Sequence, residues 1–209
     1  MYRYLDKLLA EAKKKVRTEF NRMSVIGFDE LNVINTRKAT AAMFDRFLED
    51  NEAMYTRVVK DAYAKATKDK KGDKEEIGSS FVESVLLGYN LVTGYLYEKE
   101  AERKRLRLNE QILTAREYGD RQMYQDSLRR TANLWWTQTA QYGIDMVDKA
   151  TLKGYRDMGV RFVRWVAADD DKTCEVCNDR DGRVYKIAAV PPKPHYGCRC
   201  YVVPAEDKE

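Results

Sequence analysis

The stretch RFVRWVAADDDKTCEVCNDRDGRVYKIAAVPPKPHYGCRCYVVP, residues 161–204, decides how the chain is read. It holds all four cysteines, Cys174, Cys177, Cys198 and Cys200, and the only histidine, His195. The spacing is C-x2-C, a gap, then H-x2-C-x-C. Thiolates and imidazole are the donors that hold zinc in a tetrahedral shell. Clustering of every such donor in one short segment predicts a module stapled by one structural Zn2+, with five candidates for four places. Cys174 and Cys177 form the first pair. The second comes from His195, Cys198 and Cys200. Cys198 and Cys200, two apart, share a face if they lie on a strand. His195 and Cys198, three apart in a turn, serve equally well. Four protein donors make a closed, structural site, whereas a catalytic zinc keeps a place for water. Mixed imidazole and thiolate suits zinc better than an iron–sulfur cluster.

Around these donors the segment reads as a small β module. RFVRWVA (161–167) has the apolar and aromatic content of a short strand. Asp181 and Gly182 make a tight turn before a second strand. AAVPPKPHYG is a proline-rich connector, and CRCYVV reads as a terminal strand. Trp165 is expected in the core against the metal site, and Asp169 as a cap on the first knuckle. Residues 161–204 form this module, and 205–209 a loose tail.

Upstream the chain is predicted to be mainly α, a helical body preceding the β module. Leu5, Leu8, Leu9, Ala12, Val16 and Phe20 recur at helical spacing over residues 2–20. Lys13, Lys14, Lys15 and Arg17 then fall late in that helix, where they suit its dipole. Residues 21–37 carry no clear period and break at Gly27. A second helical pattern runs from Lys38 to Lys65, so residues 1–65 are an N-terminal helical region. Residues 66–79 are a polar loop or hinge. Residues 80–160 are again helical. Ser80 and Glu83 have capping-box spacing, and Gly88 and Gly94 permit close packing. A division falls near Gly119, and Gly159 is a helix stop. Trp135 and Trp136 are adjacent, so one faces the core and the other another element or a partner. In YEKEAERKRLRLNEQIL acids precede bases by three or four residues, which is ordinary helix-surface pairing.

Composition narrows the function. The 209 residues carry 38 Lys and Arg against 34 Asp and Glu, a net charge of +4, which permits nucleic-acid contact without arguing for it. From Lys172 to Glu209 seven bases face six acids, a weak electrostatic footprint for a stand-alone DNA binder. No apolar run reaches the length of a membrane span. MYRYLDKLLAEAKKK lacks the apolar stretch of a signal peptide, so an intracellular origin is expected, where thiols bind metal rather than pair. No phosphate-binding loop, dinucleotide fingerprint or metalloprotease motif is present. A cysteine-framed nuclease needs a histidine base and further ligands for a second metal, and one histidine is too few. No enzyme activity is expected.

The run from Arg161 to Tyr185, followed by PPKPHYGCRCYVVP, resembles the C-terminal segment of bacteriophage minor head proteins, the Mu F-like or SPP1-type head-morphogenesis family. Trp165, Asp169, Cys174, Cys177, Asp181, Gly182, Pro194, His195, Cys198, Arg199 and Cys200 carry the likeness in order and spacing. It extends upstream through residues 131–160, where Thr137 and Gln138 stand in place of the family's threonine–glutamate pair. The resemblance implies a structural component of the virion, at the portal vertex or capsid interior. Portal or major capsid protein would be its partner, with contact to packaged DNA, no membrane, and host cytoplasm as the place of assembly. The alternative is a zinc-containing DNA-binding protein, whose duplex contacts would come from Arg103, Lys104, Arg105 and Arg107. A metal-dependent nuclease ranks third.

Overall fold

The computed structural model describes residues 3–67, 95–168, 173–195 and 197–206. It is mainly α-helical, with a small three-stranded β module near the C-terminus, as the sequence patterns predict. The α-helices among the described residues are α1 (Arg3–Val25), α2 (Val33–Ala66), α3 (Tyr95–Glu117), α4 (Arg121–Asp157) and the short α5 (Glu175–Arg180). The strands are β1 (Phe162–Val166), β2 (Val184–Lys186) and β3 (Tyr201–Ala205). No helix among the described residues is long and apolar enough to cross a membrane.

Several boundaries differ from the sequence expectation. Helix α1 runs on to Val25, so Lys13, Lys14, Lys15 and Arg17 lie along its middle and do not complement its dipole. Helix α2 starts at Val33, not Lys38, because Asn32 caps it: the Asn35 N–H donates to Asn32 Oδ1 at 2.9 Å. The break at Gly27 is present, followed by one 3-10 turn at Phe28–Glu30. Division near Gly119 is also present. Gly119, at φ 66°, donates to the Arg116 carbonyl and Asp120 to that of Ala115, which stops α3. Asp120 then caps α4 by accepting from the Met123 N–H at 2.8 Å. The same two-bond stop ends α4, with Gly159 at φ 77° and Val160 donating to the Tyr155 carbonyl. The capping box at Ser80 and Glu83, with Gly88 and Gly94, lies outside the described residues, as do Asp169 and nearly all of the polar loop.

The chain divides into two compact units. The helical unit draws on Lys7–Thr56 and on the part of the chain ending at Thr139. Its core is built on Trp135, which is fully buried, stacks on Phe47 at 5.7 Å and meets Phe44 edge-on at 5.3 Å. Phe20 stacks on Phe47 in turn, at 5.8 Å. Buried polar groups fix the helix register. Asn51 Nδ2 donates to Thr139 Oγ1 at 3.2 Å, and the Tyr55 hydroxyl to the Thr139 carbonyl at 3.1 Å. The Tyr124 hydroxyl donates to the Met23 carbonyl, pinning α4 beside the end of α1. Trp136, the neighbour of Trp135, is only half-buried and lies under the Lys13 ammonium, 5.6 Å from the ring centre.

The second unit contains the start of α1 up to Asp6, α2 from Arg57, α4 from Ala140 and the described residues after α4. Gly154 lets α2 and α4 approach, since a Cβ there would stand 2.6 Å from that of Ala66. The Tyr63 hydroxyl donates to Asp157 Oδ2 at 2.8 Å. The sheet has the order β2-β1-β3, antiparallel throughout, with Val163 opposite Tyr185 on one side and Pro204 on the other. β3 continues through Ala205, which pairs with Phe162, so Ala205 belongs to the sheet and not to a tail.

Two predictions follow from the packing. Trp135→Ala removes the centre of the aromatic cluster and is expected to cost about 3–5 kcal/mol, read as a lower urea midpoint by far-UV circular dichroism. Burial pushes the Tyr124 phenol from 10.0 up to about 12. Burial, aided by the hydrogen bond and the charge of Asp157, does the same for Tyr63, from 10.0 to about 12. Unfolded phenols ionise first, so the stability these two contribute is complete below about pH 10 and is lost as pH rises through about 12. Denaturant titrations across that window should show a shallower loss in Tyr63→Phe and Tyr124→Phe than in the parent.

Candidate metal centre

Three of the six buried residues in the interior of the β module are cysteines. Cys177, Cys198 and Cys200 are buried together with Val163, Trp165 and Val202, and Cys174 packs against this cluster, half-buried. All four cysteines are free thiols. Each candidate donor is placed by a different local device.

Cys174 is the residue before α5, and its carbonyl accepts from Asn178 N–H at 3.0 Å. Cys177 follows one helical turn later and is fully buried. The C-x2-C pair therefore sits on the first turn of a helix, where positions three apart face the same way. Asp181 follows the helix, its N–H donating to the Asn178 carbonyl and its Oδ1 accepting from the Ala167 N–H at 2.7 Å, while Gly182, at φ 73°, donates to the Trp165 carbonyl. Asp181 thereby joins the knuckle to β1. Arg180 lies over the Trp165 ring at 5.3 Å and donates to the Pro192 carbonyl at 2.8 Å.

The second knuckle corrects the sequence reading. Cys198 and Cys200 precede β3, which begins only at Tyr201, so strand alternation does not align them. The loop is shaped by Gly197, at φ 74°, and anchored on α4. Gly197 N–H donates to Gln141 Oε1 at 2.6 Å, and Lys193 bridges from Asp148, at 2.7 Å, to the Cys198 carbonyl, at 3.0 Å. Gln141 in turn donates to Asp145 Oδ1 at 3.0 Å, and burial raises the Asp145 carboxyl above its usual range. Gln141, Asp148 and Lys193 are positioning residues that carry no recognisable spacing to the cysteines. Nothing in the sequence ties a glutamine far upstream to this loop. Arg199 reaches an acid rather than a sulfur, donating to Asp6 Oδ2 at 2.7 Å.

All five predicted donors meet in two triads. Cys174, Cys177 and His195 form one, Cys177, Cys198 and Cys200 the other, with donor atoms within 4.8 Å of each other in each. Cys177 belongs to both. Its Sγ lies 3.5 Å from that of Cys198 and 3.9 Å from His195 Nε2. A tetrahedral shell with the usual zinc–sulfur and zinc–nitrogen bond lengths would separate such donors by about 3.6–3.8 Å. The donor set and its spacing thus fit a metal ion, and the cluster is capable of holding one. Electrostatics point the same way. The Cys177 backbone N–H holds the Cys174 thiol below its ordinary value, while burial pushes those of Cys177 and Cys198 up. A dication among buried thiols removes that opposition, because a coordinated thiol is deprotonated outright.

No family model matches the chain, and neither curated proteins nor solved structures gave a match.

Because both triads share Cys177, Cys177→Ser is expected to abolish stoichiometric metal binding by elemental analysis of the purified chain. Of His195→Ala and Cys200→Ala, made separately, one is expected to abolish it and the other to retain one ion per chain. Retention of one tightly held ion in both would mean that the four donors do not come from these five.

Proposed function

We propose that this chain is a minor head protein of a bacteriophage particle, a non-catalytic component whose C-terminal module is closed by one structural Zn2+. The observation that carries this reading is the convergence on Cys177 of the four other donors, scattered over two knuckles. They occur in the order and spacing that resemble the head-morphogenesis family, with Trp165 packed against them. In this reading the metal replaces the core that so short a segment cannot build. The helical body supplies contacts to portal or major capsid protein, and the chain resides in the virion after assembly in host cytoplasm.

Taken without the resemblance, the cluster supports a second reading more directly, a zinc-containing DNA-binding protein, because a metal-stapled module requires no assembly partner to account for it. The two readings separate by experiment. Co-expressed with the portal and major capsid proteins of a phage head, the chain should sediment with head-sized particles in a few copies each. Cys177→Ser should reduce that incorporation at least several-fold. A chain that never enters particles, yet binds duplex DNA with a steep salt dependence, would replace the first reading by the second.

A further inference from the structure

A second feature lies in the helical unit, remote in sequence from the cysteines. Helices α1 and α4 run antiparallel there: Lys13 meets Trp136 at one end, and Met23 meets Tyr124 at the other. Between them runs a groove of about 550 Å³. At 1.5 Å per residue, the span from Lys13 to Ser24 is about 16 Å long. The groove is basic on its rim and apolar on its floor. Lys13, Arg17 and Arg129 line it as exposed cations, Phe20 and Leu128 are buried beneath, and Trp136 closes one end half-exposed. Asn21, Gln125 and Asn133 add exposed amides along the same walls.

Among the described residues, no carboxylate lines this groove. Glu19, which lies between Arg17 and Asn21 in sequence, is directed instead to Arg22 and Arg46, each at 2.6 Å. Asp126 stands 3.3 Å from Arg129 and offsets part of its charge. Among the described residues, Lys13 and Arg17 have no carboxylate partner. Within this set of residues the groove carries an excess of positive charge, with the Lys13 ammonium over the Trp136 ring.

We infer that this α1–α4 groove binds a short single-stranded nucleic-acid segment, its phosphates on Lys13, Arg17 and Arg129 and a base against Trp136. Cations tracking a backbone, combined with an aromatic face for an unpaired base, are the two elements of strand binding without sequence preference. Amide side chains add contacts to phosphate and sugar oxygens. A duplex has its base faces stacked inside and would leave Trp136 and the apolar floor uncovered, so an unpaired strand is the better fit. The site is distinct from the basic run at Arg103–Arg107, where Glu100 pairs with Arg103 at 2.8 Å and Glu102 with Arg105 at 3.7 Å. The inference uses no residue of the metal centre and does not depend on the minor head reading.

Fluorescence anisotropy of a labelled oligo(dT) 12-mer, titrated with the full-length, metal-loaded chain, tests it. Binding should weaken at least tenfold in the double variant Arg17→Ala, Arg129→Ala. The slope of log K against log salt should fall by about 1.4, two contacts at 0.7 each for single strands. Trp136→Ala should weaken binding about tenfold, while Trp136→Phe retains most of it. Arg103→Ala with Arg107→Ala, removing the same charge elsewhere, should stay within twofold of the parent. Circular dichroism confirms that each variant is folded, and Lys13→Gln with Arg17→Gln gives an independent removal of two cations. Absence of oligonucleotide binding by the parent overturns the inference. So does an equal loss in the Arg103 and Arg107 control, or a preference for the matching duplex. Metal content and particle incorporation are read separately, so failure here leaves the proposed function standing.

Discussion

Burying three thiols against one tryptophan is the constraint on which the C-terminal module depends. Cys177, Cys198 and Cys200 occupy the positions that a larger domain would fill with leucine or valine. Sulfur packs as an apolar atom when protonated, and Val163, Val202, Leu152 and Ile187 pack with Trp165 around this group. The sheet, the short helix and the proline connector all terminate on it. Trp165 brings β1 to the cluster, Arg180 holds the connector across the face of that ring, and Lys193 carries the loop before Cys198 back to α4. Shape is thus set by donors converging at one centre, and most of the surrounding hydrogen bonds serve to present them.

The helical unit is organised differently. Its core is an aromatic stack around Trp135, with buried threonine, asparagine and tyrosine groups fixing how the helices register. The tryptophan pair divides its labour within this unit. Trp135 is taken up wholly by the core, and Trp136, rotated about 100° further around the helix, belongs to the surface and to the groove. Adjacent aromatic residues on one helix thus place a structural and a recognition face side by side.

Much of this was legible in sequence, and the exceptions have physical causes. The mainly α body, the small β module and the division at Gly119 follow from periodicity and from glycine at helix stops. The start of α2 was missed because its first apolar residues, Val33 and Ile34, point to solvent, 48% and 76% exposed. An amphipathic period does not register there, and the signal is Asn32, a single capping oxygen. The terminal strand was placed too early because Cys198 and Cys200 alternate like strand residues. Their loop is held instead by Gly197, Gln141 and Lys193, through bonds that no local pattern announces. The C-x2-C pair lies at the start of a helix, and helix and turn alike bring positions three apart together. The donors were visible for that reason even where the backbone was not.

The topology also governs the order in which the module can form. Its central strand β1 pairs with β3 only after residues 167–200 have been drawn into a loop, with Val166 and Tyr201 at its neck. All five donors lie inside that loop. Closing it costs chain entropy that grows with the logarithm of its length. An ion taken up by Cys177 and Cys198 would cut the open segment into short arcs before the strands meet. Metal capture would then act as a folding nucleus, leaving the β1–β3 ladder to close last.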